Sequence, residues 1–176
     1  TVFLVVAISF NSTAQTWQKT DAGIKTVINN VDIEIQFYTA SIVRIVKVPQ
    51  NSSFAKKSLS VVATPQKINL TAKQQADVVT VKSENISIQC NLTSGAIGFV
   101  NKAGVLLLKE KENSASFKPF NDAGTNTYTV EQAYMLDKDE AIYGLGQQQA
   151  GKMVQRNLKL NMVQNNTSDY VPFFQS

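Results

Sequence analysis

Histidine is absent from the 176-residue chain, and cysteine occurs once, at Cys90. Without histidine there is no Ser-His-Asp or Cys-His nucleophile, no imidazole metal ligand and no histidine titration near neutrality. A single cysteine cannot close an intrachain disulfide or build a zinc site from several thiolates. No apolar run approaches the roughly 20 residues that a helix needs to cross a bilayer, so no membrane span is expected. The chain is nevertheless 43% hydrophobic, enough at this length to fill a core, which excludes disorder along its whole length. The chemistry that remains belongs to carboxylates, amides, hydroxyls, Lys, Arg and aromatic faces, the groups that bind and cut sugars.

Positive charge is present but dispersed. Seventeen Lys and Arg against 13 Asp and Glu give a net charge of +4. Nucleic-acid binding needs such charge gathered on one face. Here Lys56-Lys57 and Lys109/Lys111, with Glu110 and Glu112 interleaved, read as solvated strand ends and turns, so no nucleic-acid partner is expected.

Both ends of the chain carry apolar segments. Val2 to Phe10 is an uncharged run of the length of a secretory h-region, and Ser12-x-Ala14 places small residues where a signal peptidase cuts. Residues 1–15 are therefore expected to be a clipped leader, and the protein to be exported, periplasmic or secreted. Tyr170-Val-Pro-Phe-Phe-Gln-Ser176 is extended and apolar, an edge that a finished domain avoids exposing. Residues 16–176 are accordingly expected to form one domain cut from a longer polypeptide.

Between the ends the pattern is all-β. Val31, Ile33, Ile35 and Phe37 alternate with polar residues, the period of a strand with one wet face. Ser41 to Val48, closed by Pro49, pairs with that strand as a hairpin. Leu59 to Ala63 and Val78 to Val81 are further β-branched runs. Ile86, Ile88 and Cys90 point inward together, so Cys90 reads as a small core hydrophobe. Turns at Leu92-Thr-Ser-Gly95 and Asn101-Lys-Ala-Gly104 separate Ile97–Val100 from Val105–Leu108 as a meander. Thr127 to Tyr134 and Ala141 to Tyr143 add strands. No window has helical periodicity, and the spacing predicts an antiparallel β-sandwich.

From Asp137 the composition changes. Gly144-x-Gly146 lacks the third glycine of a dinucleotide loop, since that position is Gln149. No cofactor and no metal are expected. Asp137, Asp139 and Glu140 invite comparison with the paired carboxylates of glycosidases, but nothing apolar surrounds them to shift a pKa. They read as a solvated turn, with Glu140 accepting backbone hydrogen bonds.

Glu140-Ala-Ile-Tyr-Gly-Leu-Gly146, a polar loop, and then Val171-Pro-Phe-Phe resemble the end of the N-terminal β-sandwich of glycoside hydrolase family 31, which includes α-glucosidases and α-xylosidases. The resemblance implies a galactose-mutarotase-like sandwich that packs on a downstream (β/α)8 barrel. That barrel would carry both catalytic Asp residues of a retaining hydrolase, leaving none in this chain. Many members place an acidic residue after the Tyr-Gly-Leu-Gly run and an Asp in a later Trp-Asn-x-Asp loop. Here Gln147 and Met162-Val-Gln-Asn-Asn166 stand instead, resembling the bacterial α-xylosidase-like branch. The resemblance assigns Glu140, Tyr143, Gly144, Gly146 and Gln147 to shaping the loop. It makes Gln164 and Asn166, whose amides both donate and accept, the candidates for sugar hydroxyls. Their alternative role is to hold the loop's own backbone.

The implied partners are an oligosaccharide and the chain's own barrel. A free-standing carbohydrate-binding sandwich is the rival reading, and needs an aromatic platform. Trp17 is the single tryptophan, and Phe117, Phe120 and Tyr128 are expected to be core or loop-packing residues because Pro119 interrupts their run. A mutarotase or epimerase is excluded by the missing histidine.

Overall fold

A computed structural model describes residues 16–53, 58–59, 61–149, 151–166 and 168–176, so the expected leader, 1–15, lies outside the described residues. The chain divides into two compact units, Thr1–Met135 and Leu136–Ser176. Among the described residues there is no helix.

In the first unit β1 (Trp17–Thr20), β2 (Gly23–Ile28), β3 (Val31–Phe37) and β4 (Val43–Pro49) form a four-stranded antiparallel meander. Asn29 and Asn30, with φ of 50° and 62°, turn β2 into β3. Asn is the residue other than glycine that best tolerates such left-handed pairs. A second antiparallel sheet holds β5 (Thr71–Gln75), β6 (Val78–Lys82), β7 (Ile86–Asn91), β8 (Ile97–Asn101) and β9 (Leu106–Glu110). Next comes a separate hairpin of β10 (Ser116–Asp122) and β11 (Thr125–Glu131), after which β12 (Tyr134–Met135) returns to the β9 edge of the second sheet. In the second unit β13 (Tyr143–Gly144) pairs with β14 (Phe174–Gln175).

The inward faces of the two sheets build the core. Ile24, Ile28, Ile33, Ile35 and Phe37 come from the first, and Val79, Val81, Ile88, Cys90 and Ile97 from the second. Each fully buried aliphatic or aromatic side chain contributes about 1.5–3 kcal/mol. Burial also pushes the Cys90 thiol up to about 12, with Lys47 pulling it down and Glu110 pushing it further up. Trp17 belongs to this core, and its Nε1–H donates to Gln74 Oε1 on β5 at 2.8 Å.

A buried ion pair also ties the sheets together. Lys47 of β4 reaches Glu110 of β9, Nζ to Oε2 2.5 Å, with side chains 10% and 4% exposed. The same carboxylate oxygen accepts the Ile97 N–H at 2.9 Å, and Lys47 also donates to the Gly95 carbonyl at 2.9 Å. Glu110 is thus no solvated strand end. The alternation of β9 turns it inward, and the charge is tolerated because a cation and a backbone donor satisfy it. Tyr134, opposite Glu110 on β12, has its phenol pushed up by burial and then by that carboxylate.

Three further expectations change. No strand forms at 61–63, where Val61 and Val62 are exposed, as is Leu59. β-Branched composition favours a strand only where a ladder and a face to pack on are available. Thr127–Tyr134 is two strands, because the chain changes sheet at Ala133, whose carbonyl accepts from Lys111 N–H at 2.9 Å and Ser114 Oγ–H at 3.1 Å. Phe120 and Tyr128 are not core residues, being 53% and 43% exposed, while Phe117 is half-buried. Pro119 sits inside β10 without breaking it, since a two-stranded ribbon has open edges on which a missing N–H costs nothing.

Candidate functional site

The second unit is organised by backbone groups rather than by a core. At its start the Glu140 carboxylate accepts the Asp137 N–H, Oε2 to N 2.8 Å, closing the acidic turn on itself. The guanidinium of Arg156 donates from one nitrogen to the carbonyls of Asp137 and Glu140, each at 2.8 Å. Gln155 is buried, donates its backbone N–H to the Ile142 carbonyl at 2.7 Å, and sends its side-chain Nε2–H to the Lys152 carbonyl at 3.1 Å. Sequence reasoning passed over Arg156 and Gln155. Arg156 is one of only two arginines, and the fork of a guanidinium suits the bridging of two carbonyls.

Next comes the glycine run. Gly144, Leu145 and Gly146 have φ of 98°, 64° and 91° in succession. A Cβ on Gly146 would lie 2.0 Å from the Asp169 carbonyl oxygen, and one on Gly144 2.7 Å from that of Phe173. Two strands of chain approach too closely here for any side chain between them. Leu145 N–H donates to Phe173 O at 2.7 Å, and Gln147 exchanges backbone bonds with Asp169 at 2.7 and 3.0 Å. Tyr143, on β13, is 42% exposed.

The loop that follows is fastened to the same returning segment. Gln164 uses both ends of its amide on one residue: Nε2–H donates to Tyr170 O at 2.9 Å, and Oε1 accepts Tyr170 N–H at 3.0 Å. Asn165 Oδ1 accepts the Ser168 N–H at 2.9 Å. Gln147, bonded to Asp169, and Gln164, bonded to Tyr170, are thereby brought to adjacent positions, whereas Glu140 belongs to the separate Arg156 cluster. Gln147, Gln164 and Asn166 are all exposed. After its two bonds the Gln164 amide keeps one N–H and one lone pair for another partner.

Chemically this arrangement recognises and positions. Among the described residues no group of three His, Cys, Asp or Glu side chains could hold a metal. Asp137 and Asp139 are exposed on the turn. On the first unit, the outer face of β1–β4 carries a groove of about 510 Å³ lined by side chains such as Lys25, Glu34, Gln36, Arg44 and Val46, with no aromatic ring on which a sugar could stack.

Residues 32–173 match the model of the glycosyl hydrolase 31 N-terminal galactose mutarotase-like domain. An α-xylosidase of Saccharolobus solfataricus is 27% identical over 160 residues, covering 85% of this chain and 21% of that protein. The crystal structure of a family 31 α-xylosidase from Xanthomonas citri superposes with a TM-score of 0.81 at 28% identity, over 90% of this chain and 18% of that one. A soil-metagenome α-xylosidase complexed with xylose shares the fold, with a TM-score of 0.74 at 20% identity over 92% of this chain and 26% of that one. The chain spans about a fifth of the length of the proteins it matches. On its sandwich and on the match from β3 to Phe173, this chain belongs to the glycosyl hydrolase 31 N-terminal galactose mutarotase-like domain family.

Proposed function

We propose that the chain is the non-catalytic N-terminal domain of an exported, retaining α-xylosidase. In this reading it packs on a catalytic (β/α)8 barrel and lends the 147–166 loop to the rim of the sugar pocket. The observation that carries the reading is the family match over residues 32–173, made to domains that occupy about a fifth of α-xylosidases. Retaining hydrolysis needs two carboxyl groups about 5–5.5 Å apart across the glycosidic bond. In the second unit Glu140 is committed to the Asp137 N–H, and Asp137, Asp139 and Asp169 are exposed, so bond cleavage falls to carboxylates of the barrel. Exposed Met162, Val163, Val171 and Phe173 supply apolar surface for packing. Gln164 holds the loop through Tyr170 and keeps one donor and one acceptor for a sugar hydroxyl, and Asn166 stands exposed beside it. The apolar run 2–10 and the small residues after it support export.

Hydrolysis of aryl α-xylosides and aryl α-glucosides tests the assignment. The purified 176-residue chain is expected to give no turnover, and the polypeptide extended through its barrel to release the aryl group from the xyloside. Turnover by the chain alone that survives purification overturns the proposal. Tight binding of xylo-oligosaccharides by the isolated chain would instead favour a self-sufficient carbohydrate-binding module.

A further inference from the structure

The β10–β11 hairpin stands apart from both sheets. Among the described residues its strands ladder only with each other, and every residue from Lys118 to Glu131 is exposed. A two-stranded ribbon by itself is only marginally stable in water.

The two outer edges of this ribbon are not equivalent. Ala123 and Gly124, with φ of 47° and 92°, form the tip, and Asp122 faces Thr125 across it. Two positive φ values in a two-residue loop define a type I′ turn, whose flanking residues are a hydrogen-bonded pair, and the ladder alternates from there. Pro119 opposite Tyr128 is therefore a non-hydrogen-bonded pair, and the missing proline N–H lies on the outer edge of β10. With Lys118 and Asp122 on the same strand, that edge is blunted against further pairing. The same alternation turns the N–H and C=O groups of Asn126, Tyr128 and Val130 to the outer edge of β11. From Thr125 to Val130 this strand has neither charge nor proline.

We propose that the β11 edge pairs with the β11 edge of a second copy, antiparallel about a two-fold axis through Tyr128. In that register Tyr128 faces Tyr128, and Asn126 faces Val130, so each residue with outward backbone groups exchanges both bonds with its opposite number. A register centred on Asn126 or Val130 leaves some of these groups unpaired. Thr127 meets Thr129, a favourable cross-strand pair, and Glu131, the one charge on β11, meets Thr125 rather than another carboxylate. The contact is isologous, as a two-fold dimer requires. It also joins the Phe117, Pro119, Tyr128 and Val130 faces of both copies into one apolar surface. The Phe117 and Tyr128 rings already meet edge to face, 6.3 Å between centroids at 89°.

Sedimentation velocity of the 176-residue chain over a dilution series is expected to show a monomer–dimer equilibrium. Tyr128→Pro removes the central outward donor and leaves the bonds to β10 intact, as Pro119 does on its own strand. That variant is expected to sediment as a monomer at every concentration, with unchanged circular dichroism. Thr127→Lys sets two ammonium groups within diagonal reach across the axis and is expected to weaken the dimer at least ~10-fold. Hydrogen-bonded antiparallel pairs have Cα atoms about 5.5 Å apart, within disulfide range, so Tyr128→Cys should yield a covalent dimer on mild oxidation and Thr125→Cys should not. A wild-type chain that stays monomeric throughout, a dimer indifferent to Tyr128→Pro, or equal crosslinking at positions 125 and 128 would overturn the proposal.

Discussion

The two units reach order by different means. In the first, alternating Ile, Val and Phe side chains from two sheets close on each other, and the charge buried among them, Glu110, is paired with Lys47. The second exposes many of its apolar side chains, Met153 at 81% and Phe173 at 64% among them. It is held instead by main-chain bonds across Gly144–Gln147 and 169–174, with Gln164 and Arg156 as side-chain clamps. A cored unit loses stability when volume or charge compensation is lost, and a unit of this second kind when two backbones are forced apart. Substitutions of opposite character should therefore separate them.

The largest effect is expected inside the sandwich. Glu110→Ala leaves Lys47 buried without its partner and Ile97 N–H without its acceptor, and is expected to destabilise the first unit by about 3–5 kcal/mol in denaturant titration. The cost belongs to the stranded charge more than to the lost attraction. Lys47→Met combined with Glu110→Leu should therefore recover most of it, and a double variant as unstable as the single one would refute that account.

Next in size is Gly146→Ala. A methyl group 2.0 Å from the Asp169 oxygen must push the two segments apart, on a backbone with φ of 91°, for about 1–3 kcal/mol of strain. The expected readout is local: faster amide exchange at Gln147 and Asp169, with exchange in β3 and β7 unchanged. Protection lost equally across both units would show that they unfold as one.

The same contrast explains what could be read from the amino acids alone. Strands β3 and β7 announce themselves by alternation, because one side faces a core and the other water, and β6 by its β-branched run. Glu110 did not, since a Lys-Glu-Lys-Glu run looks solvated and the partner that buries it, Lys47, is 63 residues away. The β10 strand was hidden by Pro119, which forbids an interior strand but not an open edge. In the second unit the family resemblance assigned Gly144 and Gly146 to shaping the loop. Gln164 could be named as a polar loop residue, but its bonding to Tyr170, six residues on, is a matter of loop shape that no periodicity encodes.

The smallest effect is absent at neutral pH and emerges only in alkali. Cys90 is fully enclosed between the sheets, and its thiol titrates near 12 instead of its ordinary 9.0, chiefly because burial disfavours the thiolate. The unfolded chain loses this proton first. The folded state is thus favoured by the raised value at all pH below about 9, and that contribution drains away as pH rises from 9.0 toward 12. Wild type and Cys90→Ala should accordingly differ by a constant amount up to pH 9, with the gap narrowing above it. Iodoacetamide at neutral pH should leave Cys90 of the folded chain unmodified and label it on unfolding, because the thiolate is both scarce and enclosed. Labelling of the native chain at the rate of a free thiol would mean that the two sheets part readily, and that the first unit is no more firmly closed than the second.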